Sequence, residues 1–192
     1  MNAADYYDSV SSLWDGDDFP EERFARHVTA TLSIPHSGGL ILDVGCGSGA
    51  MFSELGDCGA SEIVGLDISP RMAELARKRA EYDPRISVLQ EDFLLHMMPN
   101  YDVIIAYNSY NHFIDPIPFL YRSHILLQHG GRLTIAFPGS YEMINVMNRE
   151  LPSGIVRKIA SADREALLWE QFFKVDCICD NEQIFLISGR SR

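Results

Sequence analysis

The sequence LILDVGCGSG at residues 40–49 joins an apolar run of strand length to three glycines spaced two apart. The run from Leu40 to Val44 is typical of a parallel strand that is buried on both faces. The glycines allow the backbone to turn sharply and to approach a ligand closely, because they carry no Cβ. We therefore interpret this stretch as the first strand and the ligand-binding turn of an α/β fold.

Two acids accompany this turn. Asp67 ends a second apolar run, residues 63–66, where an acid is placed to accept hydrogen bonds from ribose hydroxyls. Asp43 lies two residues before the first glycine, and its carboxylate would repel a pyrophosphate but could hold a cationic amino group. The combination indicates a nucleoside-containing ligand. A purely structural turn without a ligand is the alternative.

The glycine spacing also distinguishes between two kinds of nucleoside-containing cofactor. Gly45, Gly47 and Gly49 do not follow the G-x-G-x-x-G pattern of dinucleotide folds. Together with Asp43, they resemble motif I of the class I S-adenosylmethionine-dependent methyltransferases, whose usual form is close to LDVGCGTG. The resemblance implies a Rossmann-like, doubly wound α/β fold. Its seven-stranded sheet would have the order 3-2-1-4-5-7-6 with strand 7 antiparallel. It also implies S-adenosyl-L-methionine as cofactor and methyl transfer to a small-molecule acceptor by in-line displacement.

The rest of the chain alternates between strand-like and helical segments, which predicts a parallel sheet with right-handed crossovers. We expect further strands at residues 86–89, 101–107 and 132–137, and helices at 20–32, 50–55, 70–82 and 116–127. The first of these helices should begin at Pro20 and group Phe24, His27, Val28 and Leu32 near one face.

Short signals mark the ends of these segments. Ser69 should cap the helix that begins at Pro70, and Gly130-Gly131 should end the helix before strand 5. Residues 172–179 and 184–188 are separated by a hairpin-length turn, so the sheet should finish antiparallel.

We expect one domain over residues 1–192, with four parts. An N-terminal arm and helix (1–38) precede a cofactor-binding core (39–138). An insertion (139–170) is expected to cover the acceptor site, although its apolar residues could equally belong to the core. A terminal hairpin (171–192) completes the chain.

The resemblance carries cofactor contacts onto individual positions. The motif I residues Asp43, Gly45, Cys46, Gly47 and Gly49 would contact the methionine part of the cofactor. Asp67 would hold both ribose hydroxyls. The other implied contacts are Ile68 on the adenine, Asp92 at its amino group, Phe93 on its ring, the Asn108 backbone near the sulfonium, and Tyr7 over the cofactor. Alternatively, Asp92 caps a loop and Phe93 belongs to the core.

His112 is the candidate catalytic base, since it follows strand 4 at the sheet edge where ligands of open α/β folds bind. The alternative is that it only braces the loop. Tyr110 and Asn111 are weaker candidates for touching the acceptor. No acidic cluster typical of a magnesium site is apparent, so we expect no metal.

The composition limits partners and location. A net charge of −11 argues against nucleic acid as the main partner, because phosphates attract basic surfaces. No run of eighteen apolar residues suggests a membrane span. We interpret the four cysteines as reduced thiols and expect a cytoplasmic monomer or homodimer. The alternatives to a methyltransferase are an inactive protein that binds S-adenosylmethionine or S-adenosylhomocysteine, and an NAD-dependent oxidoreductase.

Overall fold

The computed structural model of the protein describes residues 2–14, 22–35, 37–98 and 100–192. The expected helix start at Pro20 lies outside these ranges. Within them, the chain forms seven α-helices and seven strands. The helices are α1 (Ala3–Val10), α2 (Arg23–Ser33), α3 (Phe52–Asp57), α4 (Pro70–Ala80), α5 (Pro116–Leu126), α6 (Tyr141–Met147) and α7 (Ala162–Leu167). The strands are β1 (Leu40–Val44), β2 (Glu62–Asp67), β3 (Ile86–Gln90), β4 (Tyr101–Tyr107), β5 (Leu127–Phe137), β6 (Phe173–Asp180) and β7 (Phe185–Ser191).

The strands form one sheet in the order β3-β2-β1-β4-β5-β7-β6. The first five are parallel to one another, and β7 runs antiparallel to both β5 and β6. This confirms the expected fold class and strand order. The order reverses beside β1 and β4, which places a crevice at their carboxyl ends.

Successive residues of the central strands point to opposite faces of the sheet and fill two separate cores. Ile41 packs in a core with residues of α2, α3 and α4. Leu42 packs in a core with residues of α5, α6 and α7. Burial on both faces explains why β1 and β4 are almost continuously apolar in sequence.

The beginning of α4 follows the sequence signals. The Ser69 hydroxyl accepts a hydrogen bond from the backbone N–H of Met72 at 3.1 Å. Pro70 occupies the first helical position, where its missing N–H costs nothing. The cap fixes where β2 ends and α4 begins, and therefore where Asp67 lies.

The end of α5 differs from the expectation. The helix ends at Leu126, and Leu127 is already extended and pairs with Tyr101 of β4. Gly130 and Gly131 lie inside β5, at an irregularity in its pairing, rather than in a helix cap. The expected glycine cap was wrong because the helix ends before Leu127, which pairs with Tyr101 of β4, so the glycines lie beyond its end.

The buried face of α2 also differs from the expectation. Phe24 is 51% exposed and Leu32 also faces solvent, whereas Ala25, Thr29 and Ala30 are buried. Small residues permit close contact between the helix and the sheet, so Phe24 and Leu32 lie outside, while Val28 is partly buried and packs against the core. In addition, α3 begins at Phe52 rather than residue 50 because the glycine turn continues to Met51. No helix in the described ranges is long and apolar enough to cross a membrane.

Candidate active site

A cavity of about 480 Å³ opens at the carboxyl ends of β1, β2 and β4. Its volume lies within the range of roughly 300–1,000 Å³ that is usual for small-molecule sites. It gathers nearly all the site residues predicted from sequence: Tyr7, Asp43, Gly45, Cys46, Gly47, Asp67, Ile68, Asp92, Phe93, Asn108 and His112. Gly49 is the exception among them, because it packs against the ring of Phe52 rather than lining the cavity.

The glycine turn forms the floor of the cavity. The backbone N–H groups of Gly45 and Cys46 both donate to the carbonyl of Leu66, at 2.7 and 3.0 Å. Gly45 has a φ of +67°, and a Cβ there would lie 2.6 Å from the Cβ of Ser109. By contrast, a Cβ on Gly47 would meet no atom of the described residues within 4 Å. Gly45 is thus required by the fold, while Gly47 leaves space that a ligand can occupy.

Asp43 is buried at the end of β1 with an unsatisfied oxygen. Its Oδ2 atom has no hydrogen-bond partner among the described residues. Burial, reinforced by the charge of Asp67, raises the pKa of the Asp43 carboxyl to about 7. A buried acid without a partner is costly. A ligand that brings a cationic donor would satisfy it, so the residue fits the ammonium group of an amino acid.

Asp67 at the end of β2 is held in place by the backbone. Its two oxygens accept hydrogen bonds from the N–H groups of Gly47 and Ser69, each at 2.8 Å. Burial raises the pKa of Asp67, and these two hydrogen bonds oppose the shift. Each carboxylate oxygen keeps a further lone pair, so the group can still accept from ligand hydroxyls.

At the far end of the cavity, Asp92 and Phe93 fit both roles considered from sequence, since they line the cavity and also have structural roles. Asp92 caps a short 3-10 turn by accepting from the N–H of Leu94 at 2.9 Å. The ring of Phe93 packs in the core against Phe113 and Phe119, yet both Asp92 and Phe93 also line the cavity. Ile68 is 41% exposed there, as a residue that packs on a flat ligand would be. Contacts of these three with adenine stay a prediction.

Helix α1 lies across the cavity and is attached at two points. Asp8 accepts hydrogen bonds from the Ser69 hydroxyl and from the Arg71 N–H. The hydroxyl of Tyr7 lies 3.0 Å from Nε2 of His112. The sequence indicated Tyr7 but gave no signal for Asp8, because its partners are more than sixty positions away.

His112 is held in one tautomer by its two contacts. Its Nδ1 lies 3.0 Å from the carbonyl oxygen of Ile155, which can only accept, so Nδ1 carries the proton. In the neutral ring, Nε2 is then an acceptor, and the Tyr7 hydroxyl donates to it. Burial lowers the pKa of His112, and the hydrogen bond to Ile155 opposes this shift. The side chain therefore presents a basic lone pair toward the cavity at neutral pH.

The loop after β4 fixes the backbone before His112. Asn108 adopts a left-handed φ of +52°, and its N–H donates to the carbonyl of Ala136 at 2.8 Å. The Ser109 hydroxyl donates to the carbonyl of Val44 at 2.6 Å. Tyr110 and Asn111 are buried and are not among the residues that line the cavity.

Tyr107 and Glu22 are among the polar cavity residues that were missed from sequence. The hydroxyl of Tyr107 donates to the carboxylate of Glu22 at 3.1 Å, and both residues line the cavity. Burial, reinforced by the charge of Glu22, raises the pKa of Tyr107. Tyr107 ends an apolar strand, which is a usable signal for a site residue. Glu22 lies just before α2, and the sequence indicated it only as part of the first turn of a helix, not as a site residue.

The segment 139–170 holds α6 and α7. None of the described residues that line the cavity comes from this segment. It contacts the site through the Ile155 carbonyl behind His112 and through Arg157, whose Nε donates to the carbonyl of Phe113. The expectation that this segment covers the acceptor site stays a prediction, as does the division of the chain into four parts.

Comparisons with known proteins find similarity to methyltransferases. Residues 41–131 match a family model described as a methyltransferase domain. A ubiquinone biosynthesis O-methyltransferase of Cereibacter sphaeroides is 30% identical over 152 residues, which cover 71% of this chain and 60% of that protein. The chain spans about half the length of the curated relatives it matches.

Solved structures share the fold at low sequence identity. A chain in the complex between a methyltransferase activator and a putative methyltransferase of Haloferax volcanii superposes with a TM-score of 0.78 at 21% identity. That alignment covers 96% of this chain and 97% of the other. The magnesium protoporphyrin IX methyltransferase of Synechocystis PCC 6803, solved with bound SAH, gives a TM-score of 0.73 at 19% identity and covers 98% of each chain.

Proposed function

We propose that this chain is a class I S-adenosylmethionine-dependent methyltransferase that methylates a hydroxyl group of a small organic acceptor by in-line displacement, and the match of residues 41–131 to a methyltransferase domain supports this assignment. The observation that carries the proposal is the hydrogen bond between the Tyr7 hydroxyl and Nε2 of His112 inside the cavity. It marks a position where a basic nitrogen accepts a hydrogen bond from a phenolic hydroxyl. The O-methyltransferase names of the curated relatives support an oxygen acceptor.

S-adenosyl-L-methionine, when bound, supplies an electrophilic methyl group on a sulfonium whose leaving thioether needs no protonation. Asp43 would hold the ammonium group of its methionine part, and Asp67 the ribose hydroxyls. Asp92, Ile68 and Phe93 would contact the adenine. Two buried carboxylates with raised pKa values suit a ligand of net positive charge, which neutralises them on binding.

On the acceptor side, the chain has to orient a hydroxyl and to take its proton. His112 would act as the general base through Nε2, while Ile155 holds the opposite nitrogen in its protonated form. The Tyr7 hydroxyl, 3.0 Å from Nε2 of His112, would fill the position of an acceptor hydroxyl. We propose that the acceptor displaces Tyr7 from His112 and that α1 then closes over both ligands, which excludes water.

The remaining assignments extend this proposal. The four cysteines are free thiols, which supports a cytoplasmic location. The acidic charge favours a small-molecule partner over nucleic acid. The segment 139–170 would contribute to the acceptor site from behind, through Ile155.

Calorimetric titration of the purified protein with S-adenosylmethionine, S-adenosylhomocysteine and NAD in parallel tests the cofactor. We expect binding of the first two and no binding of NAD, since Asp43 disfavours a pyrophosphate beside the glycine turn. Binding of NAD alone would overturn the proposal. Binding of the first two without transfer to any acceptor would support a role in cofactor binding only.

Transfer of a radiolabelled methyl group to a matched pair of acceptors tests the oxygen preference. Catechol and 1,2-diaminobenzene have the same shape but offer hydroxyl and amino groups, respectively. We expect methylation of the catechol, because a neutral imidazole assists a nucleophile that must lose a proton. Faster methylation of the diamine would contradict the proposed acceptor class.

A further inference from the structure

One short segment holds the backbone on both sides of His112. The N–H of Arg157 donates to the carbonyl of Asn111 at 2.9 Å. The Nε of the same arginine donates to the carbonyl of Phe113 at 3.1 Å. Ile155 accepts a hydrogen bond from Nδ1 of His112. Residues 111, 112 and 113 are therefore all hydrogen-bonded to residues 155–157.

Arg157 is itself fixed by a buried acid. Its Nη1 and Nη2 donate to the two carboxylate oxygens of Glu165 at 2.8 and 2.9 Å. Glu165 is only 3% exposed, and its Oε1 also accepts from the N–H of Ala160. The guanidinium lies over the ring of Tyr110, with Cζ 4.7 Å from the ring centre, and the Tyr110 hydroxyl donates to Glu165.

A salt bridge with two parallel hydrogen bonds fixes the orientation of its two side chains more than it stabilises the fold. The planar fork of arginine allows one orientation against a carboxylate, and lysine cannot reproduce it. A buried ion pair contributes little net stability compared with apolar residues of similar volume. The pair joins the segment 155–157, which holds the loop after β4, to Glu165 of α7.

We propose that Arg157 and Glu165 are positioning residues for His112, which hold its ring so that Nδ1 meets Ile155 and Nε2 faces the cavity. The inference rests on the proposed function for its effect on catalysis. Neither residue lines the cavity. They act through the loop, so they should affect the rate of transfer and leave cofactor affinity intact.

The test compares Arg157→Lys and Glu165→Gln with Arg132→Lys in the full chain. Arg132 makes a similar two-point pair with Asp176, both distances being 2.8 Å, between β5 and β6. It is therefore a matched control for the loss of an arginine fork outside the site. We expect kcat to fall about 10- to 100-fold in the first two variants, since small misplacements of a catalytic group have effects of this size. The Kd for S-adenosylmethionine and the activity of Arg132→Lys should stay unchanged.

A second readout does not depend on activity. Long-range ¹H–¹⁵N correlation spectra report which nitrogen of His112 carries the proton. We expect a single tautomer with the proton on Nδ1 in the parent and in Arg132→Lys, and a mixture of tautomers in Arg157→Lys and Glu165→Gln. An unchanged tautomer, or an unchanged kcat, in the folded variants would overturn the proposal.

The two proposals fail in different ways. If His112→Ala retains full activity, the proposed base is wrong, while the tautomer spectra still decide whether the Arg157–Glu165 pair positions His112. If thermal unfolding shows that both variants fail to fold, the pair is required for stability rather than for positioning, and the inference is overturned.

Discussion

The cofactor half of the cavity is built mainly on two short stretches of chain, residues 43–49 and 66–69, with residues 92–93 at its far end, whereas the acceptor half combines α1, the loop 108–113 and residues 155–165. In the cofactor half, Asp67 reaches Gly47 across twenty positions of sequence. In the acceptor half, Tyr7 reaches His112 across 105 positions and His112 reaches Ile155 across 43. A local pattern therefore describes the first half, and only packing assembles the second.

The two halves also differ in charge. Asp43 and Asp67 are buried acids whose pKa values are raised, so they favour a cation. His112 is a partly buried base whose pKa is lowered, so it stays neutral and can accept a proton. Changes in the cofactor half should alter affinity and stability, whereas changes in the acceptor half should alter the rate.

The largest effect is expected from His112→Ala. Loss of a general base should lower kcat by about 10²- to 10⁴-fold and leave the Kd for S-adenosylmethionine nearly unchanged. Steady-state kinetics and calorimetry on the same preparation measure both quantities. His129→Ala is the control, because His129 is exposed and outside the cavity. A parallel loss of both activity and affinity would show that His112 only supports the loop, and the distinction between the halves would fail.

Asp43→Asn should have the next largest effect, and on affinity. The amide keeps the shape of the side chain but loses the charge that would attract an ammonium group. We expect cofactor binding to weaken by about 1.5–3 kcal/mol, the usual contribution of a hydrogen bond to a charged group. Calorimetry measures this loss, with Asp57→Asn on the exposed end of α3 as the control. Affinity equal to that of the parent would refute the assignment of Asp43 to the ammonium group.

Asp67→Ala should weaken cofactor binding by about 1–3 kcal/mol, because ribose hydroxyls would be left unpaired in a buried site. The comparison of S-adenosylmethionine with its 2′-deoxy analogue sharpens this test. The analogue should bind more weakly than S-adenosylmethionine in the parent, and the difference should shrink in the variant. If Asp67→Ala binds both as the parent does, the ribose role is wrong.

The smallest effect, counted per pH unit, is the pH dependence of the free energy of unfolding of the protein without ligands. Asp43 keeps its proton in the folded state up to about pH 7, whereas the unfolded chain releases it near the ordinary value of aspartic acid. The folded state therefore binds more protons in this window, and the free energy of unfolding should fall as pH rises. The slope contributed by Asp43 reaches at most about 1.4 kcal/mol per pH unit.

Urea unfolding at several pH values measures this slope, and Asp43→Asn removes the contribution of Asp43. Asp67 contributes with the same sign, and His112 with the opposite sign below its ordinary pKa. The difference between parent and variant isolates Asp43. An identical slope in both proteins would show that Asp43 is ionised in the fold, and the charge contrast between the halves would be lost.

Much of the fold could be predicted because its signals are local. The apolar runs located β1 and β4, and Ser69-Pro70 located the start of α4. Two expectations failed where tertiary contacts prevailed. Gly130-Gly131 was expected to cap a helix, but pairing of Leu127 with Tyr101 continues the strand. The apolar residues of α2 were expected to share a face, but close packing on the sheet buries Ala25 and Ala30 instead.

The sequence by itself determined the glycine turn, its two acids and the strand alternation, because these depend on neighbours within one βαβ unit. It also indicated Tyr7 and His112 as separate residues. Only the tertiary structure brought them within 3.0 Å, bonded His112 to Ile155, and placed Arg157 and Glu165 behind the loop. These contacts join segments whose separation is set by how α1 and α7 pack on the sheet. The periodicity of apolar residues in the sequence does not predict that separation.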